Sequence, residues 1–532
     1  MSRPPKTMSG GTKPVSGFLF IDFEADTSND PEVTRQKHTF IQRNFHQKLK
    51  QTRLEKLKAS KPRIGWIFQP VKGPVLEPPQ ADDAIKVEPD RDPVQQANLL
   101  PEAWTVNQYL DASFVDPFSS PVLPMTDAMN LYWRHFRLHT ITSSYPFDTA
   151  RMGMWWWQKA ITEPALLQAL LFLSAGHKAA LESNSGVSSM AVRKSFKDSF
   201  RLRGGALCNL KYILQDPVMA VAESNTLIVA FLLAIEGVDA NAKAVEAHLK
   251  GLKRLIQLQG GIDALDHMTV SEIYQADVRC ASFKCCRPHF RMSTKWRSEV
   301  ISDKKIFRSR DDVNIPGQLP LLATRFSTTN WSSDLDLPTH CLIFGFQRLV
   351  RYYEAARLQP SMVVPTDNDL FVIFEHQLLS VCFDPATAST TTGLISECVR
   401  LSLFLYSNIR IRDFQAFPFI GCIVAYLRQM LEMCFADMLL ASVDLLFWIC
   451  FIAGMGAKGY HDHSWFVAQL ADIAHLLGLH DLSQVNGLLI QFFWTVRVNE
   501  TSQRELWEEV LLEQRGKSRP QIMNIKTSCE SA

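Results

Sequence analysis

From Pro101 onward apolar residues recur at intervals of three, four and seven, and the alternation typical of strands is scarce. That spacing lines one side of an α-helix, so this part of the chain can bury its apolar surface only by packing helix on helix. Within 190–214, Phe196, Phe200, Leu207, Leu210 and Leu214 keep the period while Arg193, Lys194, Lys197, Arg201 and Arg203 occupy other faces. The punctuation agrees. Glu163-Pro164 and Asp216-Pro217 each place a proline in a first turn, where its missing N–H costs nothing, and Gly260-Gly261 closes a helix predicted over 242–259. Further helices are predicted over 126–141, from 216 to near 237, and over 340–356, 392–411, 417–438, 441–454, 465–477 and 482–513. Residues 287–338 are charged, proline-containing and rich in Ser and Thr, and are read as a loop or insertion. The expected fold is all-α, with one multi-helix domain over 101–515, a disordered C-terminus over 516–532 and no repeat of fixed period.

A chain of 532 residues that is 46% hydrophobic and 21% charged can bury one large core or two smaller ones. The net charge of +2 provides no field that would attract nucleic acid to the molecule as a whole, so any such contact must rest on a local basic segment. The eleven cysteines lie almost wholly in the apolar C-terminal part, without the dense, even spacing of a secreted disulfide scaffold, and are expected to be reduced and buried. Residues 1–30 lack the continuous apolar stretch of a signal peptide. The longest apolar run, about 438–457, contains Asp444 and is read as a buried core helix, so no membrane partner is expected.

Residues 1–100 are rich in Pro, Lys and Asp and cannot bury enough apolar surface to offset the entropy of ordering, so a largely disordered tail is predicted there. Inside it, 34–63 carries Arg35, Lys37, Arg43, Lys48, Lys50, Arg53, Lys56, Lys58, Lys61 and Arg63 against the single acid Glu55. It has no Pro or Gly before Pro62, and Phe45, Leu49, Leu54 and Leu57 recur at near-helical spacing, which predicts a basic helix. Arg43, Lys48, Lys50, Arg53, Lys56, Lys58, Lys61 and Arg63 are the candidate contacts to nucleic acid or to nuclear import proteins, since their charges neutralise phosphates without a cofactor. A solvated charged helix is the plainer alternative.

The stretch EPALLQALLFLSAGHKAAL (163–181), followed by DPVMAVAESNTLIVAFLLAIE (216–236) and AHLKGLKRLIQLQGG (247–261), resembles the fungal-specific transcription factor domain family. His248, Gly251, Leu252, Gly260 and Gly261 fit its His, Gly-Leu and Gly-Gly pattern, and the apolar text over 445–511 is similar to its closing helices. The resemblance implies an all-helical regulatory domain, a fungal source, a nuclear location and control of transcription, with a metabolic gene cluster as one target. It also implies transcriptional partners and is compatible with a homo-oligomer. The short apolar motif at Phe18–Ile21, followed by the basic pattern over 43–53, looks like a subset of such proteins. Members that read DNA carry a Zn₂Cys₆ cluster ahead of the domain. Here the first cysteine is Cys208, so the expectation is that any DNA contact is non-specific or weakly specific and uses the basic helix. A helical scaffold or co-regulator that binds protein partners and not DNA is the alternative.

No catalytic, cofactor or metal site is predicted. Cys280, Cys285, Cys286 and His289 are poorly spaced for zinc. His135 and His139, at i and i+4, lack the intervening glutamate of a metalloprotease. His461, Asp462 and His463 read as a polar turn, and His177 and His248 as hydrogen-bonded core histidines. Trp155, Trp156 and Trp157 are too bulky to be buried together on one helix. Gly516-Lys517-Ser518 has Leu511 where a phosphate-binding loop needs glycine, and neither GxSxG nor GxGxxG occurs, so no enzyme activity is expected.

Overall fold

Side chains that cap backbone N–H groups mark where the helices begin. The computed structural model describes residues 123–184, 188–301, 319–383, 390–415, 417–496 and 500–517, and among these all regular structure is helical. Thr126 accepts from the Met129 N–H at the start of α1 (Asp127–His135), which runs through a π turn (Phe136–Thr140) into α2 (Ile141–Ser144). Asp148 caps α3 (Thr149–Ala160), Pro164 opens α4 (Pro164–Asn184) and Ser188 caps α5 (Ser189–Ile213). α6 (Glu223–Val238) and the Asn241-capped α7 (Ala242–Leu258) follow, and α7 ends at Gly260 and Gly261, whose φ values of 89° and 102° favour glycine. Asp266 caps α8 (His267–Lys284). The later helices are α9 (Thr294–Ile301), α10 (Leu337–Leu358), α11 (Asn368–Val381), α12 (Thr391–Tyr406), α13 (Pro418–Ala441), α14 (Val443–Gly456), α15 (His463–Leu476), α16 (Leu482–Leu489) and α17 (Thr501–Lys517).

The first eight helices and the last nine share one core. α4 packs along α5, α6 lies between α7 and α8, and α8 packs in turn on α11 and α13. α14 is buried from Asp444 to Gly456 and is covered by α12, α13, α15 and α17. Trp156, Trp448 and Trp494 anchor this core at widely separated points of the sequence.

Several boundaries differ from the periodicity-based expectation, each for a local reason. The helix expected from 216 to near 237 is interrupted after a short turn (Pro217–Ala220), because the Asn225 amide donates to the carbonyls of Met219 and Ala220 and holds Ala222 extended. The break expected between 438 and 441 falls at Ser442 inside the apolar run, at φ −150°, ψ 49°, and the buried reading holds for α14. The segment expected as one helix over 482–513 stops at Leu489, where Phe492, Phe493 and Trp494 leave the helix to fill the core beside Trp448 and Arg410. Of the described parts of 287–338, residues 287–293 form a loop, while α9 and residues 319–338 are built into the domain. Trp296 on α9, Phe326 and Trp331 are all buried, and the Trp331 indole donates to Asp444 at 3.1 Å.

Among the described residues α13 has the length and apolarity of a membrane-crossing helix. Its Ile423, Leu427, Leu431 and Cys434 are instead buried within the helical core. Free cysteines, with no disulfide among the described residues, include buried Cys280, Cys382, Cys398, Cys434 and Cys450 and exposed Cys208 and Cys341. The basic segment 34–63, the tail around it and residues 518–532 lie outside the described residues.

Candidate functional site

The helices that wrap α8 leave a small cavity of about 40 Å³, room for a few water molecules. Phe136, Tyr145, Trp156, Phe231, Phe414 and Phe417 form its aromatic walls, and Leu173, Ala234, Ile235 and Val238 complete the apolar surface. These residues come from the π turn, the end of α2, α3, α4, α6 and the segment ahead of α13. The polar contribution comes mainly from α8. Glu272, Gln275 and Arg279 recur there at i, i+3 and i+7 and so share one face.

Glu272 accepts from the Tyr145 hydroxyl at 3.3 Å, and that oxygen accepts from the Trp156 indole at 3.0 Å. Burial pushes the Glu272 carboxyl up to about 7. Arg279 donates to Asn408 at 2.6 Å, approaches Glu375 at 3.6 Å and lies over the Phe414 and Phe419 rings at 4.7 and 5.4 Å. Burial pulls its guanidinium down to about 10, opposed by Glu375. Glu375 also accepts from Ser407 at 2.9 Å and from Arg412 at 3.0 Å. Two buried arginines therefore face two buried carboxylates, and the cluster is neutral when both acids are ionised. Such a cluster adds little net stability, because desolvation offsets most of the attraction, but removing one member strands another.

The second polar group of the cavity is His177 on α4, 2% exposed. Its Nδ1 lies 3.0 Å from Thr140 Oγ and 3.3 Å from His135 Nε2, and its ring stacks on Phe417. Its Nε2 has no hydrogen-bond partner. Burial pulls His177 down to about 4 and His135 to about 3, with the neighbouring imidazoles adding to the effect, so both are neutral near pH 7. His135 and His139 do share a helix face, their rings 4.8 Å apart. Among the described residues no group of three His, Cys, Asp or Glu side chains is placed to hold a metal ion.

The other residues singled out from sequence are dispersed. Cys280 points at the Leu233 carbonyl, and burial pushes the Cys285 thiol up to about 12 at the end of α8. His289 turns away to Asp277 at 3.0 Å. His248 lies half-buried on α7, and burial holds its imidazole below the usual range. Of the tryptophan triplet, Trp156 lines the cavity while Trp157 packs on Trp133 at 4.6 Å. His461 is exposed, and His463 starts α15 with its ring 2.5 Å from Glu509. Arg43, Lys48, Lys50, Arg53, Lys56, Lys58, Lys61 and Arg63 lie outside the described residues.

Residues 130–284 match the family model described as the fungal specific transcription factor domain. The match runs from α1 to the end of α8 and so takes in most of the cavity wall, including His177, Glu272 and Arg279. Glu375, Arg412, Phe414 and Phe417 come from beyond it. No curated protein and no solved structure matches the chain. The matched domain is one of transcription factors and not an enzyme family.

Sequence reading missed Glu272, Arg279, Glu375 and Arg412, because a helix buried on all sides mixes its few charges among apolar residues and shows no periodic stripe. A charged residue inside an otherwise apolar helix was the available signal. Asp444, noticed in the apolar run, is an instance: it takes the Trp331 indole and an ion pair from Arg325 at 2.7 Å.

Proposed function

We propose that this chain is a fungal regulator of transcription that works in the nucleus. Its helical domain would serve as the control module, and its basic N-terminal segment would make the contact with import proteins or with DNA phosphates. The match of 130–284 to the transcription factor domain carries the reading. The ten basic residues within 34–63 against one acid support the second half of it, because counterion release gives such a segment affinity for nucleic acid without base reading. A metabolic gene cluster is the proposed target class. The first cysteine being Cys208 favours a second reading, a co-regulator recruited by protein partners.

Chromatin immunoprecipitation with sequencing of the tagged full-length protein tests this, beside a variant with Lys48, Lys50, Arg53, Lys56 and Lys58 changed to Ala. Promoter peaks that disappear while the variant still reaches the nucleus support contact through the basic segment. Peaks that survive favour recruitment by a partner, and a cytoplasmic steady state of the wild-type protein overturns both.

A further inference from the structure

The outward face of α5 is basic and apolar at once. Asp198 is the only acid in the helix and turns to the Tyr132 hydroxyl, while Arg203 turns inward to Glu236. The other five cations, Arg193, Lys194, Lys197, Arg201 and Lys211, are all exposed. Among them stand Met190, Phe200 and Tyr212, which are 79%, 71% and 78% exposed. Phe200 keeps the apolar period of the sequence, yet it lies outside the core. Large apolar side chains left in water among charges of one sign mark a contact surface.

Helix geometry orders these residues. Phe200, Gly204, Cys208 and Tyr212 form one i, i+4 row, in which two rings about 18 Å apart along the axis enclose two small residues. A Cβ on Gly204 would meet nothing within 4 Å, so the row dips between its ends. Arg193, Lys197 and Arg201 form the neighbouring row on one side, and Lys211 stands on the other. A second helix laid across α5 by ridge-into-groove packing would drop an apolar side chain between Phe200 and Tyr212 and bring its own flanks against the cations. Charge complementarity makes those flanks acidic. Nucleic acid fits less well. Phosphates would leave both rings in water, and rings so far apart cannot hold neighbouring bases, which stack about 3.4 Å from one another.

We propose that this face of α5 docks an acidic amphipathic helix of a protein partner, its apolar side seated between Phe200 and Tyr212 and its carboxylates on Lys197, Arg201 and Lys211. As a partner in transcription this helix rests on the reading of the helical domain as a control module. The binding itself does not.

The probe is a fluorescein-labelled peptide of about 18 residues, about five turns of helix, with Leu along one side and Glu on the others. Fluorescence anisotropy follows its binding to the full-length protein, beside a peptide of the same composition with the Leu positions scrambled and a single-stranded DNA of equal charge. Each titration is repeated with Lys48, Lys50, Arg53, Lys56 and Lys58 changed to Ala, which separates α5 from the basic N-terminal segment. Saturable binding that weakens with salt is expected in both backgrounds. Lys197→Glu with Lys211→Glu should weaken it by about tenfold or more, and Phe200→Ser with Tyr212→Ser by about tenfold. All four side chains are exposed, and thermal melts confirm that the variants are folded. The comparison of ordered with scrambled peptide decides the matter even where a variant does not fold. Absence of saturable binding, equal binding of the scrambled peptide, or unchanged binding in either folded α5 variant would each overturn the proposal. So would peptide binding that disappears in the alanine background, or DNA that binds more tightly than the peptide there. A cytoplasmic steady state of the wild-type protein would count against the regulatory reading and leave this titration untouched.

Discussion

Arg412 donates to the carbonyl oxygen of Ser144 at 2.7 Å across 268 positions of sequence. The same guanidinium, 0% exposed on its side chain, donates to Glu375, which stands beside Arg279 of α8. One side chain thus joins the end of α2, inside the family-matched region, to the part of the chain beyond it.

Arg412→Met should therefore destabilise the whole domain by about 3–5 kcal/mol, since Glu375 and the Ser144 carbonyl lose a buried donor. Urea unfolding followed by circular dichroism measures it. A loss below about 1 kcal/mol would mean that the clamp holds nothing together.

The histidine cluster and Glu272 should shape the pH dependence of stability in opposite directions. His177 and His135 have folded pKa values lowered to about 4 and about 3, so the native state binds fewer protons than the unfolded one below 6.5. Their contribution is complete above that pH and is lost as pH falls through the folded values. Glu272, raised to about 7, contributes below its unfolded value of 4.5 and loses that contribution as pH rises through 7. Each group changes stability by up to about 1.4 kcal/mol per pH unit. Between pH 6.5 and 5 the fall in Tm should be shallower in His177→Phe and steeper in Glu272→Gln than in the wild type. Parallel curves for all three proteins would refute the assignment.

Two glycines of the matched region should respond oppositely to alanine. A Cβ at Gly237 would lie 3.2 Å from the backbone of Arg279 and Cys280, where α6 crosses α8, so Gly237→Ala should cost about 1–3 kcal/mol. A Cβ at Gly251 on α7 meets nothing within 4 Å, and Gly251→Ala should add about 0.5–1 kcal/mol by helix propensity alone. Thermal melts of the pair decide it.

Trp331, 7% exposed, packs face to face with Phe492 and hydrogen-bonds Asp444. Trp331→Ala should cost about 3–5 kcal/mol in a denaturant titration. An effect near zero would favour the reading of 287–338 as a loop or insertion.

Helical class, most of the early helix starts and the buried character of α14 were legible because capping residues, Pro and Gly act locally. α8 was not legible: 14 of its residues are buried around its whole circumference, Glu272, Asp277 and Arg279 among them, so the solvent-facing stripe that betrays an amphipathic helix is missing. The cavity was hidden for a different reason. Its walls are brought together from α3, α4, α6 and the segment before α13, and no spacing rule links Trp156 to Phe417. The basic segment is the reverse case, plain in the sequence and outside the described residues. The family match stops at residue 284, yet Arg412 and Phe417, beyond it, pack on Ser144 and His177 within it.

The π turn at Phe136–Thr140 holds one residue more than an α-helix needs, and this sets what kinds of genetic change the site can absorb. Removing a single residue there would restore the ordinary winding and leave the turns on either side in register, because the extra residue is the one that bulges out. His135 would keep its place beside His177, and the Tyr132 hydroxyl would keep Asp198, which it meets at 2.8 Å. A one-codon deletion is then better tolerated within these five codons than in the regular turns of α1, where it would rotate the start of the helix by about 100°.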